Sequence, residues 1–182
     1  MNKQITTHFN ASEFRCKCGK CADLPPNTEL VERLEKVYEY LNETADGVAC
    51  IIITSGRRCP SHSLAVGGSV DDAHTIGIAA DFYAVKGDGE TRWNSYELAA
   101  VCERVGFNGI GIIDNTCVHA DVRTSYNYKN AHWFGNEQTG NDNISSFADY
   151  LPRKKGKTIS ALQTPHKIVL YLDDKKIYEC EV

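Results

Sequence analysis

Two histidines and one aspartate carry the most legible chemistry in this chain. His74 and Asp81 are separated by six small or apolar residues in Ala73-His74-Thr75-Ile76-Gly77-Ile78-Ala79-Ala80-Asp81, and a second imidazole follows in Val118-His119-Ala120-Asp121-Val122-Arg123. Two imidazoles and one carboxylate form the three-ligand set of a catalytic zinc, with the fourth position left to water. Such an ion would lower the pKa of that water and polarise a carbonyl. On a strand, alternate residues face the same way, so His119 and Asp121 share a face. Asp121 is then either a general base or a partner that orients a ligand. Asp114, in the turn Asp114-Asn115-Thr116, is the rival base.

A second cluster is made of sulfur. Of eight cysteines, three crowd into Cys16-Lys17-Cys18-Gly19-Lys20-Cys21, and Cys59 in Arg58-Cys59-Pro60 is a fourth member that folding could bring in. The alternatives are a second, structural zinc, disulfides or free thiols. Cys50, Cys102 and Cys117 sit among apolar residues and read as buried small hydrophobes. His8 and His166 read as surface or turn histidines, while His62 is a candidate to line a cleft and His132 a candidate to hydrogen-bond a transition state.

These groups need elements to hold them. Pro25-Pro26-Asn27-Thr28 supplies breakers and a cap, after which Leu30, Leu34, Val37, Tyr38 and Leu41 recur at three and four residues, predicting an amphipathic helix over 28–45. The β-branched run 48–54 predicts a central strand, apolar on both faces. Residues 61–72 read as a long Gly- and Ser-rich loop with a helical turn, and 78–85 as the next strand, which sets Asp81 in rigid structure. A second helix is expected over 93–105, closed by Gly106, followed by short strands at 110–113 and 117–122. From 136 to 164 the pattern becomes polar and Lys-rich and reads as linker or loop. Residues 165–182 read as a β-hairpin with a four-residue turn at Asp173-Asp174-Lys175-Lys176. The expected architecture is α+β, a small antiparallel sheet with flanking helices over 1–135 and the hairpin as an appendage.

At 182 residues with 42% hydrophobic content, the chain can build one good core and little more. A net charge of -4 leaves no basic excess to neutralise phosphates, which argues against nucleic acid as a partner. The longest apolar run, 49–53, is too short to span a bilayer, and the N-terminus lacks the apolar stretch of a signal peptide. The expectation is a chain made in the cytoplasm that does not insert into membranes and meets any outside substrate only after release or lysis.

Five ordered segments also carry a resemblance. Ser55-Gly56-Arg57-Arg58-Cys59-Pro60, Val66-Gly67-Gly68, the segment from His74 to Asp81, Gly109-Ile110-Gly111-Ile112, and Val118 to Arg123 followed by Trp133 resemble the zinc D-Ala-D-Ala carboxypeptidase family. That family includes phage endolysins and shares its fold with D-Ala-D-Ala dipeptidases and the hedgehog signalling domain. The match runs over about residues 7–135. It implies a metallopeptidase acting on peptidoglycan peptides, with His74, Asp81 and His119 on zinc and Arg58 holding the substrate carboxylate or polarising the scissile carbonyl. Two departures stand out. Thr116 occupies the position, three before the last histidine, where several relatives carry an acidic base, and Ser63 stands where relatives often have Asn. The base is therefore Asp121 or Asp114, or the domain is a weak or inactive zinc-binding module.

Overall fold

The computed structural model describes residues 3–21, 24–127, 132–156, 159–164, 167–172 and 175–181. The chain divides into two compact units, Met1–Pro152 and Arg153–Val182. In the first, elements run α1 (Thr28–Asn42), β1 (Cys50–Ser55), α2 (Pro60–Ala65), β2 (Ala79–Val85), α3 (Ser95–Val105), β3 (Gly109–Ile112), β4 (Val118–Asp121) and β5 (Trp133–Asn136).

The helices begin where their caps dictate. Asn27 Oδ1 accepts from Leu30 N at 3.1 Å and opens α1, whose buried stripe is Leu30, Val31, Leu34, Val37 and Leu41. Asn94 does the same for α3 through Tyr96 N at 2.9 Å, so this helix starts at 95 and leaves Trp93 as a buried core residue before it. Gly106, at φ 100°, closes α3 in the left-handed region that favours glycine.

The sheet order is β1-β2-β4-β3-β5. Its first three pairings are antiparallel and β3–β5 is parallel, so the sheet is mixed rather than wholly antiparallel. The parallel strand was not legible because Trp133-Phe134-Gly135-Asn136 is short and contains a glycine. β1 is also an edge strand, not a central one: Ile51 and Ile53 are buried, but Ile52 between them is 40% exposed. An isoleucine on the open face disguises the ordinary alternation of an edge.

One face of the sheet builds the core. Ala80, Phe82 and Ala84 of β2 and Val118 and Ala120 of β4 are buried there, with α1 and α3 supplying the other wall. The core extends past 136: Phe147 is fully buried, and Tyr40 Oη donates to Pro152 O at 3.1 Å. The first part of the expected linker thus belongs to the first unit. The second unit is a three-stranded antiparallel sheet of β6 (Ile159–Thr164), β7 (Lys167–Leu172) and β8 (Lys175–Glu181), so the expected hairpin is the last two strands of a meander. Of that hairpin's expected turn, Asp173-Asp174 lie outside the described residues, as does His166.

The opposite face of the first sheet is open because β3 is glycine-rich. A Cβ at Gly111 would lie 2.7 Å from the Trp133 ring, which rests across Gly111 and Gly135. Gly111→Ala is therefore expected to displace Trp133 and destabilise the domain by about 1–3 kcal/mol, read as a lower urea midpoint at unchanged m-value.

Candidate metal centre

The register of the sheet sets the centre. Asp81 of β2 pairs directly with His119 of β4, and His119 with Gly111 of β3. Residues opposite one another in an antiparallel pair have their Cβ atoms about 5 Å apart, so carboxylate and imidazole meet without any loop to bring them together. His74 arrives from a loop that its own hydrogen bonds stiffen. Asp72 Oδ1 accepts from Thr75 N at 2.8 Å, His74 O accepts from Arg58 N at 3.1 Å, and Ile78 N donates to Ala73 O at 3.0 Å. The buried Ser63 hydroxyl donates to Asp72 Oδ2 and ties α2 to the same loop, which gives the serine at this position a structural role.

His74 Nε2 and His119 Nδ1 lie 3.1 Å apart, and both reach Asp81 Oδ1, at 3.1 and 2.9 Å. The far nitrogens fix the protons. His74 Nδ1 donates to the carbonyl of Gly56 at 2.7 Å, and His119 Nε2 donates to Asp121 Oδ2 at 3.1 Å. In neutral imidazoles the two inward nitrogens then carry lone pairs. Two lone pairs and a carboxylate oxygen at such distances repel one another unless a cation sits among them. The donor set, two nitrogens and one oxygen, fits zinc.

The surrounding charges agree. Burial alone would raise the Asp81 carboxyl, but its interactions with the His119 and His74 rings outweigh it and hold Asp81 below the usual carboxylate range. Burial would likewise lower His119, yet the bonds to Asp121 and Asp81 prevail and raise it to about 10. Flanked by two carboxylates, His119 holds a proton tightly when no metal competes for the site.

Asp121 is fully buried behind His119, and its two oxygens also accept from Arg123 N, Nε and Nη2 at 2.6 to 3.1 Å. It orients His119 through the nitrogen remote from the donor cluster. Asp114 is exposed, does not line the cleft, and spends Oδ1 on Thr116 N, Thr116 Oγ1 and Cys117 N, which closes the β3–β4 turn. Arg58 does reach the centre: its Nε donates to Ser55 Oγ at 2.8 Å and its Nη2 to Asp81 Oδ2.

The three donors open onto a cleft of about 510 Å³. Arg58, Asp72, Arg123, Trp133 and Glu137 line it as well. Glu137 carried no signal in the sequence, because its place depends on the parallel pairing of β5. Among the described residues that line the cleft, Asp72 and Asp81 have hydrogen-bonded carboxylates and Glu137 does not. His132 packs on Phe134 with the rings tilted, in a separate hollow, His62 does not line the cleft, and His8 is paired with Glu35 and stacked on Tyr38. Cys16, Cys18, Cys21 and Cys59 assemble into a cluster of their own outside the cleft lining.

A family model described as peptidase M15 matches residues 7–121, more than half of the chain. The chain belongs to the peptidase M15 family. Neither a curated protein nor a solved structure matches it. The M15 match takes in His74, Asp81, His119 and Arg58 and stops before Trp133 and Glu137. M15 members are zinc peptidases, which agrees with the donor set. Among the described residues no helix is long and apolar enough to cross a membrane.

Asp121→Asn keeps the volume but removes the charge that orients His119. Zinc affinity, measured by calorimetric titration of the demetallated protein, is expected to fall about 10–100-fold.

Proposed function

We propose that this M15 protein is a zinc metallopeptidase that hydrolyses peptidoglycan stem peptides, as a D,D-carboxypeptidase or an endopeptidase of the endolysin type, on the fold shared with D-Ala-D-Ala dipeptidases and the hedgehog domain. The observation that carries the reading is the convergence of His74 Nε2, Asp81 Oδ1 and His119 Nδ1 at the floor of an open cleft whose rim bears a guanidinium. The substrate lies in the cell wall, so the enzyme would reach it after release from the cell that makes it or during phage lysis.

His74, Asp81 and His119 would hold the metal. When bound, zinc supplies Lewis acidity and lowers the pKa of a water. Arg58 stands beside Asp81 and offers a planar donor fork to a peptide carboxylate or to the scissile carbonyl. Arg123, locked on Asp121, adds a second positive wall to the cleft. The remaining task is to accept the proton of the attacking water and return it to the leaving amine. Asp121 is committed to His119 and Arg123, and Asp114 to its turn. Glu137 has its carboxylate in the cleft near Gly111, the residue paired with His119. We assign it the role of general base.

Thr116 favours a second reading, a zinc-binding module of the same fold that cuts nothing and serves to bind a partner. One experiment separates the two: metal content together with mass spectrometry of purified muropeptides after incubation. The enzyme reading expects shortened stem peptides, lost on chelation and with His74→Ala, and a kcat lowered about 100- to 10,000-fold by Glu137→Gln at unchanged metal content. Intact muropeptides with a fully zinc-loaded protein would leave only the module, and an unchanged kcat for Glu137→Gln would remove Glu137 as base.

A further inference from the structure

The chain has a second set of metal-ligating side chains outside the cleft. Cys16, Cys18 and Cys21 follow the short 3-10 turn Ala11–Phe14, and Cys59 caps α2 from 38 positions beyond Cys21 in the sequence. Folding gathers all four sulfurs to within 4.8 Å of one another, with Cys18 Sγ 3.2 Å from Cys21 Sγ and 3.9 Å from Cys59 Sγ. Sulfurs at the corners of a zinc tetrahedron, each about 2.3 Å from the metal, stand about 3.8 Å apart. Two disulfides would need the sulfurs sorted into two bonded pairs. Here every sulfur is within reach of the other three.

The backbone around them is arranged for sulfur carrying negative charge. Cys59 N donates to Cys16 Sγ at 3.3 Å and Lys20 N to Cys18 Sγ at 3.4 Å. Gly19, at φ 70°, turns the chain between Cys18 and Cys21 so that both side chains point at one locus. The crevice beside the cluster is lined by Cys16, Cys21 and Cys59 together with Arg57 and Arg58.

We propose that Cys16, Cys18, Cys21 and Cys59 bind a structural zinc ion as a closed four-thiolate site. Binding releases the thiol protons to solvent and leaves a complex of charge about -2. No position is left for water, so the ion does no chemistry. It clamps the N-terminal segment to the loop after β1, reinforcing the bond from Arg57 N to Phe14 O at 2.7 Å, immediately beside Arg58. The site does not depend on the peptidase reading, because it shares no ligand with His74, Asp81 and His119.

The test is metal counting on the full chain purified under reducing conditions. Two zinc ions per chain are expected, falling to one in Cys21→Ser and to a different one in His74→Ala. Cobalt exchange into His74→Ala provides a reading that needs no cysteine variant: the intense sulfur-to-cobalt charge-transfer absorption of a tetrahedral tetrathiolate should develop at one equivalent. Thiol-reactive dye should then label four fewer cysteines in the metal-loaded protein than after chelation. A single zinc per chain with no thiolate signature in the cobalt spectrum, or a mass showing disulfides among these four cysteines in protein that binds no second metal, would overturn the proposal.

Discussion

The centre depends on one pairing: Asp81 of β2 opposite His119 of β4. A slip of one residue in either strand would turn one donor onto the core face and expose apolar side chains on the other. Ala80, Phe82, Val118 and Ala120 alternate with the donors and are buried against the helices, so the energy of core burial enforces the register that brings carboxylate and imidazole together. The metal donors are placed by the fold's hydrophobic side. Only His74 comes from a loop, and that loop is fastened to Gly56, Asp72 and Arg58.

Charge is distributed so that each buried acid has partners. Asp81 meets Arg58 through one oxygen and the two imidazoles through the other, while Asp121 meets Arg123 and His119. Unpaired, either carboxylate would be costly to bury, whereas this chain of alternating signs makes both tolerable. Asp121 is bonded to a backbone amide, a guanidinium and an imidazole at once. Glu137 lines the cleft, and its carboxylate, unlike those of Asp72 and Asp81, has no hydrogen bond among the described residues there. Glycines at 109 and 111 make the arrangement sterically feasible, because a side chain at either would strike Asp121 and Arg123 or Trp133.

Much of the centre was legible in the sequence because its logic is local. The spacing from His74 to Asp81 and the alternation of His119 with Asp121 follow from loop and strand geometry, and the helix cap at Asn27 follows from residue type, whereas the cap at Asn94, which starts the second helix two residues later than expected, went unread. What stayed hidden depends on long-range pairing. β5 joins β3 in parallel, and that alone brings Trp133 and Glu137 into the cleft. Ile52 on an open edge imitates a central strand, and Ile159–Thr164 is too polar in pattern to stand apart from the loop around it. Which role Asp121 takes could not be read from alternation either. Sharing a face with His119 allowed both roles, and alternation does not show that its oxygens lie behind the ring, on the nitrogen remote from the donor cluster.

The most direct test of the metal centre is an anomalous difference map collected at the zinc edge from crystals of the zinc-loaded protein. A peak bonded to His74 Nε2, Asp81 Oδ1 and His119 Nδ1 is the predicted result. A zinc-saturated crystal with no peak among these three atoms, or with either imidazole turned away from Asp81, would contradict the account.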